Sequence, residues 1–288
     1  MASITLRAFA KINLSLRITA VREDGFHDVQ TLLQAIDLFD RVQCRTRRGP
    51  FEIRCDMPGV PTDRANLVWK AGQRLWEAAG RAGEARGALV TLRKKIPMMA
   101  GLGGGSSDAA AALIGLRRVW KLRVGDQQLH AIASRLGSDV PFFLVGETAL
   151  GLGRGDELYP LENLPRYWVV LAIPPFGIAT PDAYRWFDEA ATTDRPPASG
   201  VHFQLFPNVP LGNDLEAPVA ARHPAVGELK QRFANQGALI AAMSGSGSTV
   251  FGVFPSAPAA SRAARAVTST GVKVLAARFF GRSTRRTR

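Results

Sequence analysis

A glycine-rich stretch between Pro97 and Leu113 combines residue types that can hold a phosphate group. Its sequence is PMMAGLGGGSSDAAAAL, in which three consecutive glycines precede two serines and an alanine-rich run. Consecutive glycines let the backbone adopt positive φ angles and approach a ligand closely, so that backbone N–H groups can point toward an anion. A helix predicted from about Ser107 adds its free N–H groups and the positive end of its dipole. The pattern predicts a phosphate-binding loop rather than a flexible linker.

Two familiar phosphate-binding motifs do not fit this stretch. A P-loop needs a lysine after its last glycine, whereas Gly105 is followed by Ser106 and Ser107. A dinucleotide-binding fold needs a parallel strand–helix–strand series with an acidic residue after its second strand, and the N-terminal region does not show that pattern. The loop therefore indicates another class of phosphate-binding protein.

Two polar residues near the N-terminus, Lys11 and Asn13, lie in a segment with a period of two. From Ile4 to Ile18 the even positions are apolar and the odd positions are mostly polar, which predicts one long strand. Lys11 and Asn13 then project from the same face, opposite the core. On these grounds alone, a solvated surface lysine is the ordinary interpretation of Lys11.

Hydrophobic periodicity and chain breakers place the remaining elements. We predict helices at 66–79, 107–120, 126–136, 182–191, 226–235 and 258–268, strands at 89–96, 167–173 and 272–280, and two strands around a Gly/Ser turn within 238–254. Glycines and prolines near 150–165 indicate a domain boundary, which divides the chain into 1–161 and 162–288. The order strand–helix–helix–strand–strand–helix–strand after this boundary predicts a ferredoxin-like α+β domain.

Length and composition limit the class of protein. The chain has 288 residues, of which 46% are hydrophobic, enough to bury a core and to form two domains. No apolar run approaches the roughly 20 residues of a membrane helix, and Arg7 and Lys11 interrupt the pattern of a signal peptide, so we expect a cytoplasmic location. The two cysteines, Cys44 and Cys55, are too few for a disulfide framework and lack metal-ligand spacing.

The formal net charge of +13 raises the question of a nucleic-acid partner. Part of the excess lies in the C-terminal tail GRSTRRTR, and the rest is scattered without the interleaved aromatic residues of a single-strand binder. A protein whose substrates are polyphosphates fits the charge equally well. We therefore predict neither a nucleic-acid partner nor a membrane partner.

The glycine-rich stretch resembles the second motif of the GHMP small-molecule kinases, whose loop wraps the phosphates of ATP. Three further stretches, in the family's order, carry the resemblance: AFAKINLSLRITAVREDGFHDVQTL, LGSDVPFFLVG and MSGSGSTVFGVF. The first of them is similar to the branch that phosphorylates a cytidyl diphosphate sugar alcohol in non-mevalonate isoprenoid synthesis. The resemblance implies a two-domain α+β fold, with an N-terminal ribosomal-protein-S5-like domain and a C-terminal ferredoxin-like domain.

The resemblance also implies roles for individual residues. Lys11 would lie beside the reacting hydroxyl and the transferred phosphate, and Asp139 would accept the proton of that hydroxyl or orient it. On local grounds Asp139 is also a good N-cap for a first turn that contains proline. The residues expected to bind ATP are Asn66, Lys94, Pro97, Met98, Met99, Ala100, Gly101, Leu102, Gly103, Gly104, Gly105, Ser106 and Ser107.

The cytosine ring of the substrate is expected beside the turn at 24–25. The resemblance implies that Phe26 stacks on the ring and that His27 hydrogen-bonds the edge of the base. Many family members carry Tyr in place of Phe26, a difference that keeps the stacking and removes a phenol hydrogen bond. The expected substrate-binding residues are Asn13, Phe26, His27, Thr180 and Tyr184, and a supporting glycine loop is expected at Gly245, Ser246 and Gly247.

ATP is expected as co-substrate together with Mg²⁺, which neutralises charge on the β- and γ-phosphates. The sequence shows no acidic cluster typical of a dedicated metal cage, so we assign no metal-ligating residue and expect the ion to be held mainly by ATP and water. We expect a monomer or a homodimer. Three alternatives stay open at this point: a GHMP kinase for homoserine, mevalonate or a sugar, a nucleic-acid-binding protein, and a nucleotide-binding homologue without catalytic activity.

Overall fold

The chain opens with two long strands, β1 (Ser3–Val21) and β2 (His27–Pro50), in a computed structural model that describes residues 2–191, 201–203 and 206–281. The other strands are β3 (Glu52–Cys55), β4 (Arg86–Arg93), β5 (Thr148–Leu152), β6 (Glu157–Pro160), β7 (Trp168–Ile173), β8 (Val201–Phe203), β9 (Phe206–Asn213), β10 (Ile240–Met243), β11 (Val250–Phe254) and β12 (Lys273–Arg278). The helices are α1 (Leu67–Ala78), α2 (Gly104–Val119), α3 (Asp126–Leu136), α4 (Phe142–Val145), α5 (Thr180–Ala191), α6 (Glu216–Arg222), α7 (Pro224–Asn235) and α8 (Ala257–Val267). Among the described residues, no helix combines the length and the apolar character that a membrane crossing requires. The arginines of the basic tail fall on 282–288, outside the described residues.

The chain divides into two compact units that do not follow a single cut in the sequence. The first unit comprises Met1–Ala10, Leu38–Pro97 and Gly103–Gly146, and the second comprises Lys11–Asp37, Met98–Leu102 and Glu147–Arg288. The strands β1 and β2 contribute residues to both units because they are far longer than average strands. The predicted domain boundary between 161 and 162 stays a prediction.

The first unit is a sheet covered on one face by helices. Within it, β4 pairs antiparallel with the second half of β2 and parallel with β3. Side chains alternate along β2, so that Val42 and Cys44 are buried while Arg41 and Gln43 are exposed. The apolar face packs against α1 and α2, and α2 approaches closely because it is rich in small residues: a Cβ atom on Gly115 would lie 2.6 Å from Cys44 Sγ.

The second unit contains a four-stranded antiparallel sheet with the order β10-β11-β7-β12. Along the chain these strands are the first (β7), second (β10), third (β11) and fourth (β12), so the spatial order is that of a ferredoxin-like fold. The predicted order matches these four strands together with α5, α7 and α8, while β8, β9 and α6, which lie between α5 and α7 in the chain, were not predicted. Helices α5, α7 and α8 bury apolar side chains on the sheet, with Phe233 and Phe254 fully enclosed.

The predicted long strand at 4–18 is confirmed as β1, but the predicted exposure of its polar face is wrong. Every residue from Ala10 to Leu16 is buried, and Lys11 and Asn13 are only 4% and 3% exposed. They do share one face, since Lys11 Nζ donates a hydrogen bond to Asn13 Oδ1 at 2.6 Å. The polar face is covered by other segments of the second unit, which a pattern within β1 cannot reveal.

Two predicted boundaries differ from the structure next to the glycine-rich loop. The strand predicted to reach 96 ends at Arg93, because the carboxylate of Asp40 takes the backbone N–H groups of Lys95 and Ile96 out of the ladder. The helix predicted from Ser107 begins at Gly104. The other predicted helices and strands are confirmed to within a few residues. The strands β2, β3, β5, β6, β8 and β9 and the helices α4 and α6 were not predicted.

Candidate active site

The glycine-rich loop reaches α2 through a series of left-handed backbone conformations. Met99, Gly101 and Gly103 have φ angles of +52°, +72° and +69°. Gly103 is the N-cap of α2, and no side chain caps this helix end. The first N–H groups of α2 are therefore left for a ligand, at the positive end of a 16-residue helix. This is the arrangement that binds phosphate groups at helix N-termini.

Gly101 is the tightest point of the loop. A Cβ atom at this position would lie 2.1 Å from the carbonyl oxygen of Ser244 and 2.9 Å from that of Gly247. The Ser244 hydroxyl donates to the carbonyl of Gly101 at 3.0 Å. The Gly/Ser turn between β10 and β11 thus packs directly on the backbone of the loop, and only glycine fits at the contact.

Lys11 and Asn13 lie where this turn and the loop meet β1. The N–H of Lys11 donates to the carbonyl of Leu102 at 3.0 Å, and the N–H of Asn13 donates to Ser244 Oγ at 3.4 Å. A Cβ atom on Gly245 would lie 3.3 Å from Lys11 Nζ. Three segments that are distant in sequence therefore converge on one buried ammonium group.

A chain of hydrogen bonds fixes the orientation of the Asn13 side chain. Thr31 Oγ1 donates to the carbonyl of Ser15 at 2.7 Å, and it accepts from Asn13 Nδ2 at 2.8 Å. The amide oxygen of Asn13 is consequently directed to Lys11 Nζ. Because all of these groups are buried, the position of the ammonium is set by the fold.

The supporting turn is held by Asn213, at the end of β9. Its Nδ2 donates to the carbonyls of Met243 and Gly245 at 2.9 Å and 2.6 Å, and its Oδ1 accepts from the N–H of Leu215. Sequence reasoning assigned no role to this residue. Ser246, in the same turn, lies 3.1 Å from Thr180 through their hydroxyl oxygens.

Lys94, predicted to reach the phosphates, is buried in an ion-pair cluster of the first unit. Its Nζ donates to Asp40 Oδ2 at 2.5 Å and to Asp108 Oδ2 at 2.6 Å. Burial opposes the charge on the ammonium, but Asp108 and Asp40 outweigh this effect and raise the pKa of Lys94. Burial raises the pKa of Asp108 to about 7, against the attraction of Lys94. The cluster ties the segment before the loop to the first turn of α2.

Two buried oxygen atoms at the start of α2 have no hydrogen-bond partner among the described residues. They are Ser107 Oγ and Asp108 Oδ1, on residues that are 1% and 3% exposed. Buried polar atoms are rarely left unpaired, so a group supplied by a ligand is expected here. By contrast, Asn66 is occupied as the N-cap of α1, where its Oδ1 accepts from the N–H of Val68 at 2.8 Å.

Asp139 lies in the turn between α3 and α4 and is partly buried. The helix α4 begins after Pro141 without a side-chain cap, so Asp139 does not serve as its N-cap. The turn is closed instead by the N–H of Val140, which donates to the carbonyl of Gly137 at 3.0 Å. The structural alternative for Asp139, helix capping, is therefore not observed.

The residues expected around the cytosine ring lie together in the second unit. Phe26 is 55% exposed, and the guanidinium of Arg154 lies 5.4 Å from its ring centroid. His27 is buried, with its ring centroid 4.8 Å from that of Tyr184. His27 Nε2 also lies 2.7 Å from Asp188 Oδ1, a partner that sequence reasoning missed.

Comparison with known proteins places these features in a family. Family models described as the GHMP kinases N terminal domain and the GHMP kinases C terminal match residues 66–147 and 205–273. Solved structures of a homoserine kinase from Cytophaga hutchinsonii and of the mevalonate kinase of Methanococcus jannaschii share the fold, with TM-scores of 0.65 and 0.69 at 18% and 9% identity. The predicted two-domain α+β fold of the GHMP kinases is confirmed.

More similar relatives narrow the assignment. The chain is 44% identical to a 4-diphosphocytidyl-2-C-methyl-D-erythritol kinase from Anaeromyxobacter dehalogenans, over 99% of the chain and 93% of the relative. It is 39% identical to the protein of the same name from Pelotomaculum thermopropionicum, over 96% and 98%. A crystal structure of 4-(cytidine 5'-diphospho)-2C-methyl-D-erythritol kinase aligns with a TM-score of 0.79 at 34% identity, covering 96% of this chain and all of the other. The chain belongs to the GHMP kinases and, within them, to the family of 4-diphosphocytidyl-2-C-methyl-D-erythritol kinases.

Proposed function

We propose that the protein transfers the γ-phosphoryl group of ATP to the 2-hydroxyl of 4-diphosphocytidyl-2-C-methyl-D-erythritol, a step in the synthesis of isoprenoid precursors by the non-mevalonate pathway. The relatives that carry the name of this activity support the substrate. The observation that carries the chemistry is the convergence of the glycine-rich loop, the Gly/Ser turn and β1 on Lys11.

In this reaction the oxygen of the substrate hydroxyl forms a bond to the γ-phosphorus, and the bond from that phosphorus to the oxygen bridging it to the β-phosphate breaks. ADP leaves with the bridging oxygen. The carboxylate of Asp139 either takes up the hydroxyl proton or orients the hydroxyl while the proton passes to an oxygen of the transferring phosphoryl group. Lys11 stabilises the negative charge on the transferring group. A buried ammonium suits this role because its charge is poorly screened by water.

ATP is held by backbone rather than by side chains in this proposal. The uncapped N–H groups at the start of α2 bind phosphate oxygens, and the left-handed conformations at Gly101 and Gly103 direct the loop around them. Lys94 contributes through its position at the base of the helix, since a Cβ atom on Gly104 would lie 3.5 Å from its Nζ. Direct contact between Lys94 and a phosphate stays a prediction, as does contact of Asn66 with adenine.

The residues present fit a Mg²⁺ ion that is brought by ATP. The buried and unpaired hydroxyl of Ser107 can supply one oxygen ligand, and the described residues contain no group of three His, Cys, Asp or Glu side chains arranged as a cage. When bound, Mg²⁺ neutralises charge on the β- and γ-phosphates. Most of its ligands would then be phosphate and water oxygens.

In this proposal the cytidyl group binds between Phe26 and the segment of Thr180 and Tyr184. Phe26 is exposed enough to stack on a base, which contributes about 1–3 kcal/mol per stacked base. His27 binds the edge of the base. At the reacting end of the substrate, Asn13 positions Lys11 by accepting a hydrogen bond from its Nζ. A cytoplasmic location and a monomeric or homodimeric state stay predictions.

The test is ADP release by the purified protein with ATP and Mg²⁺, comparing the cytidyl substrate with homoserine and mevalonate. We expect turnover with the cytidyl compound alone. In the variants Phe26→Ala and His27→Ala, kcat/KM for this compound should fall while the KM for ATP stays unchanged. Turnover with homoserine or mevalonate, or full activity of both variants, would show that the substrate assignment is wrong.

A further inference from the structure

The imidazole of His27 is held by one face of α5. Nε2 lies 2.7 Å from Asp188 Oδ1, and the ring of Phe187 stands perpendicular to the imidazole with the centroids 6.1 Å apart. Tyr184, one helical turn earlier, is tilted by 32° against the imidazole at 4.8 Å. Residues three and four apart lie on the same side of a helix, so these three contacts come from a single rigid element.

The contact with Asp188 determines which nitrogen of His27 carries the proton. An ionised carboxylate only accepts hydrogen bonds, and neutral imidazole has one donor nitrogen and one acceptor nitrogen. In neutral His27, Nε2 must therefore be the donor, which leaves Nδ1 as the acceptor. Within the described residues Nδ1 has no hydrogen-bond partner. It is also not one of the fully buried unpaired atoms, so it retains some accessible surface.

An acceptor at this point distinguishes the two common pyrimidines. Cytosine carries an amino group at position 4, which donates, whereas uracil carries a carbonyl oxygen, which accepts. A neutral imidazole that presents Nδ1 as an acceptor binds the amino group of cytosine. The carbonyl oxygen of uracil would instead face the lone pair of Nδ1. A site that leaves polar groups facing each other without a hydrogen bond rejects the wrong ligand strongly.

We propose that Asp188 is a positioning residue that holds His27 as the Nε2–H tautomer, and that the Nδ1 atom of His27 thereby selects a cytosine over a uracil base. This inference rests on the proposed function, because it concerns the nucleotide part of that substrate. Asp188 does not touch the base in this account. It acts through the tautomer and the orientation of the imidazole, as carboxylates do for other functional histidines.

The tautomer is measured directly in the free protein by two-bond ¹H–¹⁵N correlation spectra of the imidazole nitrogens, with His27→Gln used to assign the resonances. We expect the proton of the neutral His27 imidazole to lie on Nε2. Asp188→Asn replaces the carboxylate by an amide that can donate as well as accept, so the spectrum should shift toward a mixture of tautomers. An Nδ1–H tautomer or an imidazolium in the unchanged protein would overturn the proposal.

Selectivity is measured as the ratio of kcat/KM for the cytidyl substrate to that for its uridyl analogue. In Asp188→Asn we expect kcat/KM for the cytidyl substrate to fall roughly tenfold, through a higher KM, and the ratio to fall by a similar factor. The KM for ATP and the kcat at saturating substrate should not change. The matched control is Asp182→Asn, since Asp182 lies on the same helix with similar exposure and, within the described part of the chain, forms its ion pair with Arg185.

The two readouts separate the failure of this inference from that of the proposed function. If the unchanged protein fails to phosphorylate the cytidyl substrate, the proposed function is wrong, while the spectra still decide the tautomer. If the protein is active but Asp188→Asn keeps the selectivity of the Asp182→Asn control, the positioning role of Asp188 is wrong. A loss of kcat as large as the loss of kcat/KM would also contradict it, because positioning of the base affects binding first.

Discussion

The contact between Gly101 and the Gly/Ser turn predicts a large effect of a single methyl group. In Gly101→Ala the added Cβ would lie 2.1 Å from the carbonyl oxygen of Ser244, whereas ordinary contacts begin at 3.4 Å. The loop or the turn must therefore move by about 1.3 Å. Overpacking of this kind costs about 1–3 kcal/mol, and the left-handed φ of +72° adds about 1 kcal/mol for alanine.

The displacement also reaches the proposed catalytic lysine. Moving the Gly101 backbone breaks the bond from Ser244 Oγ, and Ser244 in turn accepts from the N–H of Asn13, the hydrogen-bond partner of Lys11. A misplacement of about 1 Å in reacting groups can lower a rate 100-fold. We therefore expect kcat/KM for ATP to fall about 100-fold and the free energy of unfolding to fall by about 2–4 kcal/mol.

A matched control separates the clash from the backbone strain. Gly237 has a φ angle of +73°, and no atom lies within 4 Å of a Cβ built on it. Gly237→Ala should therefore cost only the conformational term, about 1 kcal/mol, and keep the activity of the unchanged protein. Both variants are measured by coupled ADP release and by urea unfolding. The reasoning is refuted if Gly101→Ala and Gly237→Ala show the same kcat/KM and the same stability.

Three further predictions concern buried groups. Lys11→Met should lower kcat by about 10²–10³-fold, because a buried charge that stabilises the transferring group is lost. Steady-state kinetics measure this effect, and an unchanged kcat would contradict the role of Lys11. Asp40→Asn should lower the free energy of unfolding by about 3 kcal/mol, since it breaks a buried ion pair with Lys94; urea unfolding measures it, and a loss below about 1 kcal/mol would show that the pair contributes little. Burial raises the pKa of Cys44 to about 12. Iodoacetamide at pH 8 should therefore label Cys55 in the folded protein and Cys44 only after unfolding. If peptide mass spectrometry finds both cysteines labelled at equal rates in the folded protein, the burial argument is refuted.

The features predicted best from the sequence are those encoded within one short segment. The loop before α2 follows from the glycines themselves, and the common face of Lys11 and Asn13 follows from the period of two in β1. The ferredoxin-like order of β7 to β12 follows from the sequence of helical and strand-like patterns. Each of these needs only the local rules of backbone geometry.

The features that sequence reasoning missed depend on contacts between distant segments. Asn13 is buried because Ser244, 231 residues away, lies on its backbone. Asp40 ends β4 by binding N–H groups 55 and 56 residues further along the chain. In the sequence, Asp188 is one acidic residue among several on α5, and nothing local distinguishes it from Asp182. Only the fold brings Asp188 to the start of β2.

Phosphorus NMR of the reaction mixture tests the central claim most directly. The unchanged protein, incubated with ATP, Mg²⁺ and 4-diphosphocytidyl-2-C-methyl-D-erythritol, should produce the signals of ADP together with one new phosphomonoester resonance, coupled to the carbon skeleton at position 2. The same mixture with Lys11→Met should show neither within the same time. ADP formed without a new phosphomonoester, or a phosphomonoester at another hydroxyl, would contradict the account of this protein as a kinase for the 2-hydroxyl.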